Sequence, residues 1–256
     1  MTCILETQGL CKEFGAVTAA KDVNVRIHKG EVVGVIGSNG AGKTTFINMV
    51  TGYLKPSRGE ILFNGQSIIG RTPRAITRAG MARSFQVAQL FAQLSVLDNL
   101  LIAVSAAQSP FPSLLAPMRN ASRIEQADAI LAEFDISRWR DTPVTAVPQG
   151  VRKLIDIAMA LIGDPQMLLL DEPTSGVSAE EKTALMDTVM RVVAQHQVTV
   201  LFVEHDMDVV RRYVSRILAF YSGEVLADGA PEAVLANPRV QEFVTGGPNA
   251  HKRAAQ

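Results

Sequence analysis

Two cysteines, Cys3 and Cys11, are all that this 256-residue chain contains. At that density a disulfide scaffold is excluded, and a reducing cytoplasm is the expected setting. An excess of one charge is missing too: Lys plus Arg is 25, Asp plus Glu is 25, and the formal net charge is +0. That balance gives no general attraction to an anionic membrane or to nucleic acid, so no nucleic-acid partner is expected. No apolar run approaches the roughly 20 residues of a membrane helix. The opening MTCILETQGL has no basic region and does not read as a secretory signal. Internal repeats and low-complexity linkers are absent as well.

What is present is apolar sequence, 47% of the chain, enough for one large domain or a core with a smaller lobe. Three textures follow one another. Residues 1–85 read as short strands and turns, then a strand–loop–helix unit. Gly52 marks the end of that helix, and Asn64-Gly65 marks a tight turn. Residues from about 88 to 164 read as helical, with apolar positions three and four apart in VLDNLLIAVSAA and SRIEQADAILAEFDI. The remainder alternates strand and helix: QMLLL, then SAEEKTALMDTVMRVVAQH, then VTVLFVEH, then a hairpin around Ser222-Gly223. Buried strands followed by helices imply an α/β fold with a parallel sheet. The expectation is a single domain spanning 1–256, with 1–87 and 165–256 forming the core and 88–164 an inserted helical lobe.

The stretch GSNGAGKTT fits G-x-x-x-x-G-K-[ST], preceded by the strand EVVGVI and followed by a helix. In that context Gly37, Ser38, Asn39, Gly40, Ala41 and Gly42 form a loop whose N–H groups can cradle phosphate oxygens. The helix start from Lys43, Thr44 and Thr45 adds its positive end. Lys43 would reach the β- and γ-phosphates of a bound nucleotide, and Thr44 would ligate Mg²⁺. The plainer alternative is a glycine-rich turn with a stray lysine. In MLLLDEP, Asp171 ends an apolar strand and can hold Mg²⁺ through water, and Glu172 can take a proton from the attacking water. Taken alone, such a pair is a solvated strand end. His205 closes another apolar strand, where α/β sheets gather ligands, and is read as a γ-phosphate contact. Gln86 stands where strand gives way to lobe, and could touch Mg²⁺ or water; alone it is an exposed amide.

Together these residues resemble the nucleotide-binding subunit of an ATP-binding cassette (ABC) transporter: Phe14, GSNGAGKTT, Gln86, a signature position at 147–151, Asp171-Glu172 and His205, in that order. The resemblance implies a P-loop NTPase with a RecA-like core, an antiparallel β subdomain and a helical lobe. It implies ATP as substrate, with Mg²⁺, and Phe14 stacking on adenine, although a core phenylalanine remains the other reading. It further implies a second ABC ATPase subunit, two integral-membrane permeases and, indirectly, a secreted solute-binding protein. The chain would then sit on the cytoplasmic face of the membrane. The stretches ARSFQVAQLF, LSVLDNLLIA, VEHDMDVV and GEVLADGAPEAVLANPRV are similar to ATPase subunits of branched-chain amino-acid uptake systems. Relatives serving urea, amides or lipid export read similarly, and no solute site is visible.

The chain departs from that family at its signature. Where Leu-Ser-x-Gly-Gln is usual, it has Val147, Pro148, Gln149, Gly150 and Val151. Pro148 has neither hydroxyl nor N–H. In the family this loop serves the ATP of the partner cassette, so the departure points to an asymmetric heterodimer with a different cassette, a homodimer with two impaired sites being the other arrangement. The bland alternative is that Pro148 simply starts a helix. Ser178 stands where aspartate is usual in the loop after the acids. Arg71, Arg74, Arg78 and Arg83 read as a solvated, amphipathic surface, and Trp139 as lobe packing. Members of the family that act on DNA or ribosomes usually carry fused twin cassettes or long coiled-coil insertions, for which 256 residues with no heptad run leave no room. A non-hydrolysing regulatory module would not need Glu172.

Overall fold

The computed structural model describes residues 2–84, 88–108 and 117–245. Along the chain these form β1 (Cys3–Phe14), β2 (Val17–His28), β3 (Val32–Gly37), α1 (Lys43–Val50), β4 (Arg58–Phe63), β5 (Gln66–Ser67) and α2 (Pro73–Arg78). Then come β6 (Met81–Ser84), α3 (Val96–Gln108), α4 (Ala121–Glu133), α5 (Gln149–Leu161), β7 (Met167–Asp171) and α6 (Ala179–Gln195). The chain closes with β8 (Thr199–Val203), α7 (Met207–Tyr213), β9 (Arg216–Tyr221), β10 (Glu224–Gly229), α8 (Pro231–Ala236) and α9 (Pro238–Phe243). Two compact units divide the described residues, one from 2–76 and 199–245, the other from 77–84, 88–108 and 117–198.

The first unit holds an antiparallel sheet in the order β2-β1-β4-β5 and a run of strands in the order β10-β9-β3-β8. β3 is parallel to both β8 and β9, with Val35 opposite Val203 on one side and Leu218 on the other. All of β8 is buried, as are five of the six residues of β3. Continuous apolar runs of this kind suit strands covered on both faces. Phe46 of α1 packs on Phe220 of β9 with ring centroids 5.3 Å apart. Both tight turns lie where the sequence places them. Asn64 and Gly65 have φ of 50° and 74°, Ser222 and Gly223 48° and 81°, the paired positive φ that a two-residue hairpin of matching twist needs.

The second unit pairs β6 with β7 in parallel, Met81 opposite Met167 and Ser84 opposite Leu170. Its remaining elements are helical. Asn120 caps α4 by accepting from Arg123 N at 2.9 Å, as short polar side chains do at helix starts. Asn99 of α3 is fully buried yet satisfied: its Oδ1 accepts from Phe91 N at 2.8 Å and its Nδ2 donates to Ser95 O at 2.9 Å. That pairing ties the segment before α3 to the helix itself.

One surface expectation is corrected here. Arg71, Arg74 and Arg78 are exposed, but the Arg83 side chain is only 9% exposed and its Nη2 donates to Asp171 Oδ2 at 2.7 Å. Arg83 lies on β6, not on a solvated helix, and a long cation next to the end of β7 finds a carboxylate there. Trp139 is half-buried, with the Arg138 guanidinium 5.1 Å from its ring centre.

Candidate functional site

In the first unit the chain leaves β3 at Gly37 and enters α1 at Lys43. The loop between is tied down at both ends. Ala41 N donates to Ser38 O at 3.1 Å, and Gly223 N donates to Ala41 O at 2.9 Å. Gly42 caps α1 with φ 103°, and a Cβ there would stand 2.6 Å from Ala19 O. Only glycine fits that conformation and that approach. Asn39 and Gly40 are exposed at the loop tip, Ser38 and Gly42 half-buried. Lys43 is 6% exposed, and its Nζ donates to Gly37 O at 2.6 Å and Ser38 O at 3.0 Å. Thr44 is exposed and Thr45 half-buried on the first turn. The N–H groups of a first helical turn have no partner within the helix and favour anions. A backbone-lined loop, a cation folded into it and an exposed hydroxyl beside it form a donor set that fits a polyphosphate.

β3 and β8 are parallel neighbours, so the loop after β3 and the turn after β8 leave the same end of their sheet. His205 lies in that turn and is exposed. Its N–H donates to Glu204 Oε2 at 3.0 Å. Glu204, which the sequence reading passes over as part of a strand, is 4% exposed, and its own N–H donates to Val35 O at 3.3 Å. An acid embedded in an apolar run was the available signal. Asp206 then caps α7, accepting from Asp208 N at 3.1 Å. Phe14 ends β1 with 50% of its surface exposed and Lys12 Nζ 5.0 Å from its ring centre. It is not a core residue.

In the second unit Asp171 ends β7 and Glu172 follows with φ 48°, a left-handed conformation that ordinary side chains seldom adopt. The Glu172 carbonyl accepts from Ser175 N at 3.0 Å and from Lys153 Nζ at 3.3 Å. Lys153 is 2% exposed and belongs to α5, so the helix that begins after Pro148 touches the backbone beside Asp171 through a buried lysine. Sequence reading missed it, because nothing in the pattern of α5 distinguishes this lysine from a surface one.

Pro148 is the N-cap of α5, with φ −60° and ψ 156° and no side-chain cap. Its carbonyl accepts from Arg152 N at 3.0 Å. Pro148 and Gln149 are exposed and Gly150 half-buried. Arg152 fastens the preceding loop, donating from Nε to Val147 O at 3.0 Å and from Nη2 to Thr145 O at 2.8 Å. Gln86 lies outside the described residues.

The Thr44 hydroxyl and Asp171 carboxylate are hard oxygen donors of the kind Mg²⁺ takes. Among the described residues no three His, Cys, Asp or Glu side chains gather to hold a metal. A magnesium ion bound mainly by phosphates needs no such cluster.

The family model described as ABC transporter matches residues 20–175. The chain belongs to the ABC transporter family. It is an ATPase of that family, with the mixed α/β architecture of an ATP-binding cassette. It is 34% identical over 95% of its length to a probable branched-chain amino acid transport ATP-binding protein of Archaeoglobus fulgidus, covering 95% of that protein. It is also 34% identical to a high-affinity branched-chain amino acid transport ATP-binding protein of Pseudomonas aeruginosa, over 95% of this chain and 98% of that one. Among solved structures, an ABC transporter cassette in its ADP conformation superposes with TM-score 0.84 at 30% identity, covering 94% of this chain and 98% of that chain. Among the described residues of this cassette, no helix is long and apolar enough to cross a membrane.

Proposed function

We propose that the chain is the ATP-hydrolysing subunit of an importer for branched-chain or related amino acids, working on the cytoplasmic face of the membrane with two permeases and a secreted binding protein. The observation that carries the solute class is the match over 95% of the chain to relatives named for that transport. Lys43 and the loop N–H groups bind the triphosphate, and Phe14 stacks on adenine. Thr44, Asp171 and Gln86 would hold magnesium, which when bound would neutralise charge on the triphosphate. Glu172 accepts the proton of the attacking water, and His205 contacts the γ-phosphate. Substituting Glu172→Gln should keep ATP binding by calorimetry and reduce turnover at least about 100-fold. Unchanged turnover would remove Glu172 from the role.

The same reading makes the working assembly a pair of unlike cassettes. The residues that act on the chain's own ATP are all present in the sequence, and the altered part, Pro148 to Val151, is the one lent to a partner. ATPase measured for the chain alone and mixed with a paralogous cassette tests this: little activity alone and a large gain on mixing are expected. Full activity alone with no gain would favour a homodimer. For the solute, the assembly in proteoliposomes should be stimulated by binding protein loaded with leucine, isoleucine or valine. Stimulation by urea or an amide alone would redirect the solute assignment.

A further inference from the structure

We propose that Arg83 is a positioning residue for Asp171, holding its carboxylate in place and keeping it from capturing a divalent cation until nucleotide is bound. The inference rests on the reading of Asp171 as a metal ligand and concerns a residue that the motif pattern does not include. In the parallel pair β6–β7, Arg83 stands opposite Leu169. Side chains two apart on a strand share a face, so Asp171 lies on the face of Leu169, one step further along, within reach of a side chain as long as arginine. The reach is used: Nη2 donates to Oδ2 at 2.7 Å, with the two side chains 9% and 12% exposed. The contact engages one carboxylate oxygen, and Oδ1 accepts no hydrogen bond from any described residue.

Two physical effects follow. A charge-assisted bond fixes the orientation of the carboxylate, as the outer partners of metal ligands do. A guanidinium this close, poorly screened by solvent, also offsets the negative charge that would otherwise attract a cation. The two act in opposite directions on metal affinity, and nucleotide separates them. Without phosphates the charge dominates and metal is repelled. With phosphates supplying the attraction, the fixed orientation favours binding.

Mn²⁺ binding to the full chain, followed by electron paramagnetic resonance, reads both effects. Without nucleotide, Arg83→Gln is expected to bind Mn²⁺ about tenfold more tightly than the unaltered chain. With a non-hydrolysable ATP analogue, the same variant is expected to bind it about tenfold more weakly. Arg83→Lys keeps the charge and loses the length and planar direction of the guanidinium N–H that fixes the carboxylate, so only the second effect should remain. Asp171→Asn tells the two possible failures apart. If it leaves Mn²⁺ affinity of the analogue complex unchanged, Asp171 is no metal ligand. If it weakens that affinity while both Arg83 variants, folded by circular dichroism, match the unaltered chain, the ion pair is structural and the role of Arg83 is overturned. Should both variants unfold, side-chain NMR of the unaltered chain decides: Mn²⁺ with the analogue should broaden the Arg83 guanidinium signal, and a sharp signal overturns the proposal.

Discussion

At Gly42 the backbone has φ 103°, and an added methyl group would meet Ala19 O at 2.6 Å. Alanine there meets both a left-handed conformation, worth about 1–2 kcal/mol of strain, and a backbone clash that no side-chain motion relieves. Gly42→Ala should lower the midpoint of urea unfolding and, by shifting the start of α1, abolish ATP binding in calorimetry. Gly150 supplies the contrast. It lies in α5, and the nearest atoms to an added Cβ there are Leu185 Cδ1 and Val177 Cγ1, both at 3.9 Å. Gly150→Ala should leave stability unchanged or raise it by up to about 1 kcal/mol. A large loss at that position would mean that the start of α5 is more tightly packed than these distances allow.

Helix α3 begins with a reciprocal contact. Ser95 Oγ accepts from Asp98 N at 3.0 Å and donates to Asp98 Oδ2 at 2.7 Å, while Arg119 Nη2 donates to Oδ1 at 2.7 Å. The hydroxyl of Ser95 first, and then the Arg119 guanidinium, hold the Asp98 carboxyl below its ordinary 3.8. A depressed folded-state value stabilises the protein above the unfolded value, and that contribution is lost as pH falls through the folded one. Asp98→Asn should therefore cost about 0.5–1 kcal/mol at neutral pH. The gap should close as pH falls below 3.8, where the native carboxyl takes up its proton. Urea unfolding across that range checks it, and a gap independent of pH would remove the charge from the explanation. Elements like this one show what sequence reveals. The ends of α1 and of the two hairpins were legible because Gly52, Asn64-Gly65 and Ser222-Gly223 dictate their own backbone angles. The strand–loop–helix unit around Gly37 to Lys43 was legible because its residues are contiguous. Arg83 was not, since its partner lies 88 residues away and only the pairing of β6 with β7 brings the two together. Lys153 was hidden for the same reason, its acceptor being the carbonyl of Glu172 beyond the next strand.

On the scale of the whole cassette and its assembly, the asymmetry proposed above turns on a few atoms at the start of α5. Pro148 occupies the N-cap with no side chain able to cap and none able to donate, and Val151 follows within the first turn as a second apolar residue. If the defect lies in what this chain lends to a partner, repairing it should convert a poor homodimer into a working one. The double substitution Pro148→Ser with Val151→Gln restores a hydroxyl and an amide at those positions without touching Lys43, Asp171 or Glu172. Loss of one well-placed donor to a developing oxyanion typically lowers rate by about 10²–10³, so the repaired chain alone should gain at least about tenfold in ATPase. The gain on mixing with a paralogous cassette should shrink in proportion, because both arrangements would then offer a competent loop. Serine at the N-cap also favours the helix start, so thermal stability must be followed alongside. A rise in stability with no rise in the activity of the chain alone would place the limit on turnover elsewhere than in the signature loop.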